Sequence, residues 1–299
     1  MKNITLKYII LGLIFCTSCE SHSRSGMTDE KSWHLGWRIF DSSMDENFEL
    51  AESQFDSLLD FSTNIDHKFM AIGLEVKIKL NKNEEVLELL NSQDTEMLHE
   101  LCERDLLKEL APCNGLVMTK LNNESLQIEI IKMYINDQYA RGNLMTEVLD
   151  KYELSKGQVI VDSFAVNTDE RNRIRLNEII NEHGFPTKEL VGRDAMRGIF
   201  FIIQHSDGDK KWQKSQLKNI EGAVKNGDMD GKEYAYLYDR IQVNSGDKQL
   251  YGTQFSKVDP INGIVELAPT ERIENLDSRR REIGMMPIDM YKRIMLKHM

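Results

Sequence analysis

The residue types best suited to chemistry gather in the second half of the chain. His205 ends an apolar run over 199–203 as part of the pair Gln204-His205. Imidazole exchanges protons near neutrality, so a histidine in this setting can act as general acid or base, or bind a metal. Arg240 offers a planar fork for a carboxylate or phosphate. Asp239 beside it, or Asp137 further upstream, can orient the imidazole. On this reading His205, Asp239 and Arg240 are the candidate catalytic residues. Asp137, Arg141, His183, Gln204, Tyr251, Gln254 and Arg280 are the candidate binding residues. Such a set suits hydrolysis or group transfer on an anionic small substrate. It equally describes a structural network in which a histidine is hydrogen-bonded to an aspartate and braced by an arginine.

Other chemistries find less support. His183 and His205 have no HExxH or CxxC around them to fix a metal geometry, so no metal and no cofactor are expected. His183, next to Gly184, reads as a helix-terminal residue set against the dipole. The chain has no GxSxG elbow, Walker loop, post-strand GxGxxG or haem-attaching CxxCH. Arg279-Arg280-Arg281 reads as a solvated helix face from which one arginine at most points inward. Met285, Met286, Met290 and Met295 read as core packing.

The elements that must position these residues are mostly helices. Ile128, Ile131, Tyr134 and Ile135 have helical spacing and lead into Asp137-Gln138-Tyr139-Ala140-Arg141. A second helix covers 172–180 and is stopped by His183-Gly184-Phe185-Pro186. The stretch 192–205 predicts a buried central helix, apolar on every side over 199–203. Asp207-Gly208 turns into a helix carrying Trp212, Leu217, Ile220 and Val224, and Asn226-Gly227-Asp228 separates it from one carrying Tyr234, Leu237, Tyr238 and Ile241. Asp239 falls in the last turn of that helix, against the dipole, and needs a cation beside it. The segment 249–255 reads as a strand whose hairpin mate is 263–267, joined through Pro260 and Asn262-Gly263.

HGFPT (183–187), VG (191–192), IIQH (202–205), DRI (239–241), YGTQ (251–254) and RRREIGMMPI (279–288), with DQYAR (137–141) upstream, resemble an uncharacterised bacterial domain-of-unknown-function family. The resemblance covers roughly 126–291. It implies a domain boundary and a set of positions, and it carries no activity.

Ahead of that domain, 32–116 has the spacing of helical hairpins. Leu50, Phe55, Leu58 and Leu59 share a face, as do Phe69, Ile72, Val76 and Leu80, and Val86, Leu87, Leu89 and Leu90 form a third stripe. A faint 34-residue offset pairs Leu35 with Phe69 and Phe55 with Leu89, in the manner of a degenerate tetratricopeptide array. Such hairpins could present a platform to an envelope protein partner. Cys102 and Cys113 would lie ~16 Å apart on a continuous helix, too far to bond, and read as buried free thiols, although Pro112 breaks such a helix.

The N-terminus reads as an address. A basic stretch with Lys2 and Lys7 precedes the apolar run 8–15, which is far short of the ~20 residues needed to span a bilayer. Cys16-Thr17-Ser18-Cys19 follows, which resembles a bacterial lipoprotein signal with Cys19 as the lipidated residue, although Cys16 stands where Leu is usual. An ordinary secretory signal or a short uncleaved anchor is the alternative. The expected organisation is a signal peptide over 1–18, a flexible tether over 19–31, helical hairpins over 32–120 and a helical domain with one β-hairpin over 126–299. The fold class is mainly α. Charge fits an envelope protein that avoids nucleic acid: the chain carries −11, and −13 without 1–18, and an acidic body repels phosphate backbones. Four cysteines among 299 residues are too few for a disulfide scaffold. Two functions follow: a binding or scaffold lipoprotein tied to the membrane through Cys19, or an envelope enzyme using His205.

Overall fold

The computed structural model describes residues 30–298 except 63, 115, 117–120 and 161–163; the leader, Cys19 and most of the tether lie outside the described residues. The chain is mainly helical, with fifteen helices and one small antiparallel hairpin among the described residues. Two apolar cores divide it.

The N-terminal core is built by α1 (Glu30–Met44), α2 (Phe48–Phe61), α3 (His67–Lys79), α4 (Asn83–Asn91) and α5 (Thr95–Cys102). Close approach is set by two glycines. A Cβ on Gly36 would fall 2.6 Å from the Phe69 ring, and one on Gly73 would fall 2.3 Å from the Phe55 ring. Phe55 and Leu58 are fully buried as expected, but Leu50, in the first turn of α2, is 46% exposed. Lys77, also buried, ties α3 to its neighbours through Glu52 (3.0 Å), Asp56 (2.9 Å) and Glu85 (2.7 Å).

The reading of Cys102 and Cys113 as free thiols is corrected. They form a disulfide with a Cα–Cα distance of 5.5 Å. α5 ends at Cys102, and the chain then folds back through successive turns that bury Leu107, so the 16 Å of a continuous helix never arises.

The C-terminal core rests on a parallel pair, α6 (Glu124–Tyr139) and α10 (Lys188–Gln204), packed along their whole lengths. Asn123 N–H donates to Leu190 O at their starts, and a Cβ on Gly198 would fall 2.8 Å from Cβ of Tyr134 midway along. Gly192, at φ +79°, breaks α10 near its first turn, so the continuous helix proper begins after it. Short α7 (Thr146–Lys151) and α8 (Lys156–Val159) lead to α9 (Ala165–His183), which starts earlier than its apolar spacing suggested. Then come α11 (Lys210–Ser215), α12 (Leu217–Lys225) and α13 (Gly231–Asn244), the last packed on α10.

The hairpin is β1 (Phe255–Asp259) and β2 (Ile264–Leu267). The expected strand over 249–255 is mostly irregular: its backbone N–H groups go to Asp239, and only Gln249 bridges, to Thr270. Helices α14 (Leu276–Glu282) and α15 (Ile288–His298) return to the N-terminal core. Met286 and Met290 pack on it, Trp33 Nε1 donates to Met285 O (2.8 Å), and Lys68 Nζ donates to Gly284 O (3.0 Å). The expectation that the methionines pack in the core holds for these residues.

Candidate functional site

The parallel run of α6 and α10 brings their C-terminal ends together, and with them Asp137 and His205. His205 caps α10, with Nδ1 3.0 Å from each carboxylate oxygen of Asp137. Asp137 is fully buried, yet satisfied: Oδ1 also accepts from Arg141 Nη1 (3.1 Å) and Oδ2 from Gln138 Nε2 (2.8 Å). An ionised carboxylate only accepts, so Nδ1 is the nitrogen that donates to Asp137 and Nε2 is the one left for a ligand. The side chain of His205 is 15% exposed, and Nε2 reaches solvent with no hydrogen-bond partner among the described residues. The ring of Phe201, one turn earlier, lies 5.7 Å away and stacks on Tyr134 at 5.4 Å.

Two ion pairs flank the dyad. Arg141 Nη2 grips Asp169 on α9 (2.8 and 2.9 Å), whose carboxyl burial holds above its ordinary range despite the guanidinium. Arg240 Nε meets Asp207 (3.0 and 3.1 Å), and Nη2 reaches the same carboxylate. Burial alone would raise the Asp207 carboxyl, but Arg240 outweighs it and holds it low. Gln213 and Asn244 add donors to Asp207, and both line a surface depression of about 300 Å³ with Lys210, Lys211 and Lys214.

The expected catalytic trio does not converge. Asp137 takes the orienting place assigned to Asp239. Asp239 is buried elsewhere, where it accepts from the backbone N–H of Leu250 (2.7 Å), Tyr251 (3.0 Å) and Thr253 (2.9 Å) and from Thr253 Oγ1 (3.0 Å). Burial still holds its carboxyl above the usual range, against those four donors. These N–H groups, not a cation, compensate its place near the end of α13. Arg240 lies beside the His205 site, but its fork is filled by Asp207, so the role of anion clamp is not open to it in this arrangement.

Tyr251, Gln254 and Arg280 belong with Asp239 in a loop clasp. Arg280 is fully buried and donates to Tyr251 O (2.6 Å) and Met286 O (2.6 Å), with Tyr291 against its guanidinium. It is the fully buried arginine of the 279–281 run, but the run is not the solvated face expected: Arg279 also turns toward the fold and donates to Leu250 O (2.8 Å), Arg272 O (3.2 Å) and Glu271 O (2.6 Å). Nη2 of Arg280 lacks a partner, and burial lowers the pKa of that guanidinium. Gln254 exchanges hydrogen bonds with Gln249, and burial pushes the Tyr251 phenol up to about 12. Gln204 faces the core with Oε1 unpartnered. His183 sits at the end of α9, 39% exposed, with the Glu182 carboxylate 3.7 Å away. No cluster of three or more metal-ligating side chains occurs among the described residues.

Phe201 and Arg197 escaped the sequence reading, which took 199–203 as apolar on every side. The signal was present in the spacing of Arg193, Arg197, Phe201 and His205, four residues apart along one helix face.

The positions gathered here coincide with a known sequence grouping. A family model described as a family of unknown function (DUF6624) matches residues 124–298. The chain belongs to this family. The DUF6624 region takes in α6 through α15, and so both the His205 dyad and the Asp239 clasp; α1–α5 lie outside it. No curated protein and no solved structure matches the chain.

Proposed function

We propose that this is a lipid-anchored cell-envelope protein whose DUF6624 domain carries out hydrolysis or group transfer on a small anionic substrate. His205 Nε2 is the general acid/base and Asp137 is its positioning residue. The observation that supports this most directly is an imidazole whose one nitrogen is fixed by a buried, fully satisfied carboxylate while the other stands open to solvent. A ring held in one orientation at no cost in unmet hydrogen bonds is prepared to exchange a proton with a ligand. The anchor reading rests on the leader and Cys19, and its test is loss of incorporated fatty acid in Cys19→Ser.

The enzymatic test is a panel of chromogenic phosphate esters, carboxylic esters and glycosides, turned over by the purified chain and by His205→Asn and Asp137→Asn. Turnover falling by about 10²–10⁴-fold in His205→Asn, with the melting temperature unchanged, supports the proposal. A melting temperature lowered in step, or no turnover of any class, counts against it.

Binding to an envelope protein is a second reading, favoured by Met44 and Leu50, 47% and 46% exposed around the α1–α2 turn. α1, α3 and α5 themselves contact the chain's own DUF6624 domain, through Trp33, Lys68 and the Glu100–Lys188 pair (3.1 Å), and Lys297 of α15 pairs with Asp45 in the turn, so only the exposed Met44 and Leu50 side chains speak for this reading. Leu50→Lys abolishing co-purification of a partner that the wild type retains would support it.

A further inference from the structure

We propose that Arg197 and Phe201 form the recognition arm of the His205 site, selecting ligands in which a flat or apolar segment joins an anionic group to the group that meets His205 Nε2. This rests on the acid–base reading of His205 and names the residues that would choose its substrate.

The argument begins with which cations are already committed. Arg141 and Arg240, the arginines beside the dyad, are held by Asp169 and Asp207. Arg171 donates to Asn136 (3.1 Å), and Arg173 pairs with Asp209 (3.2 Å). Arg193 is taken by Glu100 of α5 and by Glu103 just past its end. Arg197 differs from all of them: it is exposed, and among the described residues its guanidinium donates no hydrogen bond and makes no ion pair. An arginine without a carboxylate keeps its planar fork available for a phosphate or carboxylate from outside.

Its position supplies the second half of the argument. The Cζ of Arg197 lies 5.8 Å from the Phe201 ring centroid, and that centroid lies 5.7 Å from the His205 ring. The three side chains follow one face of α10 at successive four-residue steps, about 12 Å from first to last along the axis. Phe201 is half-buried and backed by the nearly parallel ring of Tyr134, at an interplanar angle of 11°, so the platform is fixed from below. A ligand laid along this face meets a cation, a flat apolar surface and the imidazole Nε2 in that order. A bare inorganic anion would meet only the first, and a neutral aromatic only the second.

The test uses phenyl phosphate, inorganic phosphate and phenol as probes of the purified full chain, followed through the His205 Cε1–H resonance. Phenyl phosphate is expected to shift that resonance saturably. Inorganic phosphate is expected to bind at least about tenfold more weakly, and phenol without saturation. Arg197→Gln is expected to weaken phenyl phosphate about tenfold or more, with Arg197→Lys recovering only part, since Lys lacks the bidentate fork. Phe201→Leu is expected to reduce the preference for phenyl phosphate over phosphate. Equal binding by wild type and Arg197→Gln, or equal affinity for phenyl and inorganic phosphate, overturns the inference. The two proposals fail separately. Arg197-dependent binding without turnover of any substrate class sinks the acid–base reading alone, and turnover with KM unchanged in Arg197→Gln sinks the recognition arm alone.

Discussion

Glu233 offers a sharp test of the electrostatics at the start of α13. Its side chain is only 12% exposed, Oε2 is buried without a partner, and the nearest cation, Lys232 Nζ, stands 3.9 Å from Oε1. Burial pushes its carboxyl up to about 7, against an ordinary value of 4.5, with Asp230 adding to the rise and Lys232 and Arg197 opposing it. Between those values the folded chain holds a proton that the unfolded chain has released, so stability falls as pH rises through that window. Two and a half pKa units correspond to about 3 kcal/mol, fully felt above pH ~7 and absent below pH ~4.5. Glu233→Gln keeps the shape and removes the titration. Urea unfolding followed by circular dichroism should therefore show the variant close to wild type at acid pH and more stable by about 3 kcal/mol at pH 8. A stability difference that stays constant across pH, or a variant weaker than wild type at pH 8, would refute the reasoning.

Further outcomes test the other buried polar groups. Asp239→Asn sets an amide against a cradle made only of donors and should cost about 3 kcal/mol in urea unfolding, without moving the His205 Cε1–H resonance. Lys77→Met leaves Glu52, Asp56 and Glu85 facing one another without their shared cation. About 3–5 kcal/mol of stability should go, and a loss below 1 kcal/mol would show the cluster to be well hydrated. Intact mass after alkylation should find Cys102 and Cys113 unreactive until reduced, and Cys102→Ala with Cys113→Ala should lose about 2–4 kcal/mol. Gly73→Ala drives a methyl into the Phe55 ring and should cost roughly 1–3 kcal/mol by thermal melting.

Local rules reached far into this fold because most of its elements are amphipathic helices with clear stops. Phe55 and Leu58, Val86 and Leu90, and Leu176 and Ile179 are buried where their spacing placed them. Gly184 ends α9 at φ +75°, and Asn262-Gly263 turns the hairpin, as their types require. Two failures came where the chain doubles back on itself, bringing together groups 11 to 14 positions apart. The 249–254 segment has strand-like composition, yet a buried carboxylate on α13 takes its N–H groups before a second strand can. The spacing of Cys102 and Cys113 excludes a bond on a straight helix and says nothing about a chain that doubles back.

The amino-acid sequence alone established the helical class and a C-terminal domain of unknown function, because periodicity, caps and residue chemistry act within a few positions. Which aspartate serves His205 lay beyond it. Asp137 and Asp239 are equivalent as residue types. The choice was made by the close parallel packing of α6 on α10, allowed where Gly198 admits Tyr134, which sets Asp137 against the imidazole from 68 positions away. The packing of α13 on α10 likewise filled the fork of Arg240 with Asp207, while Arg197 makes no ion pair among the described residues. Pairing of charges depends on which helix ends meet, and only the tertiary fold decides that.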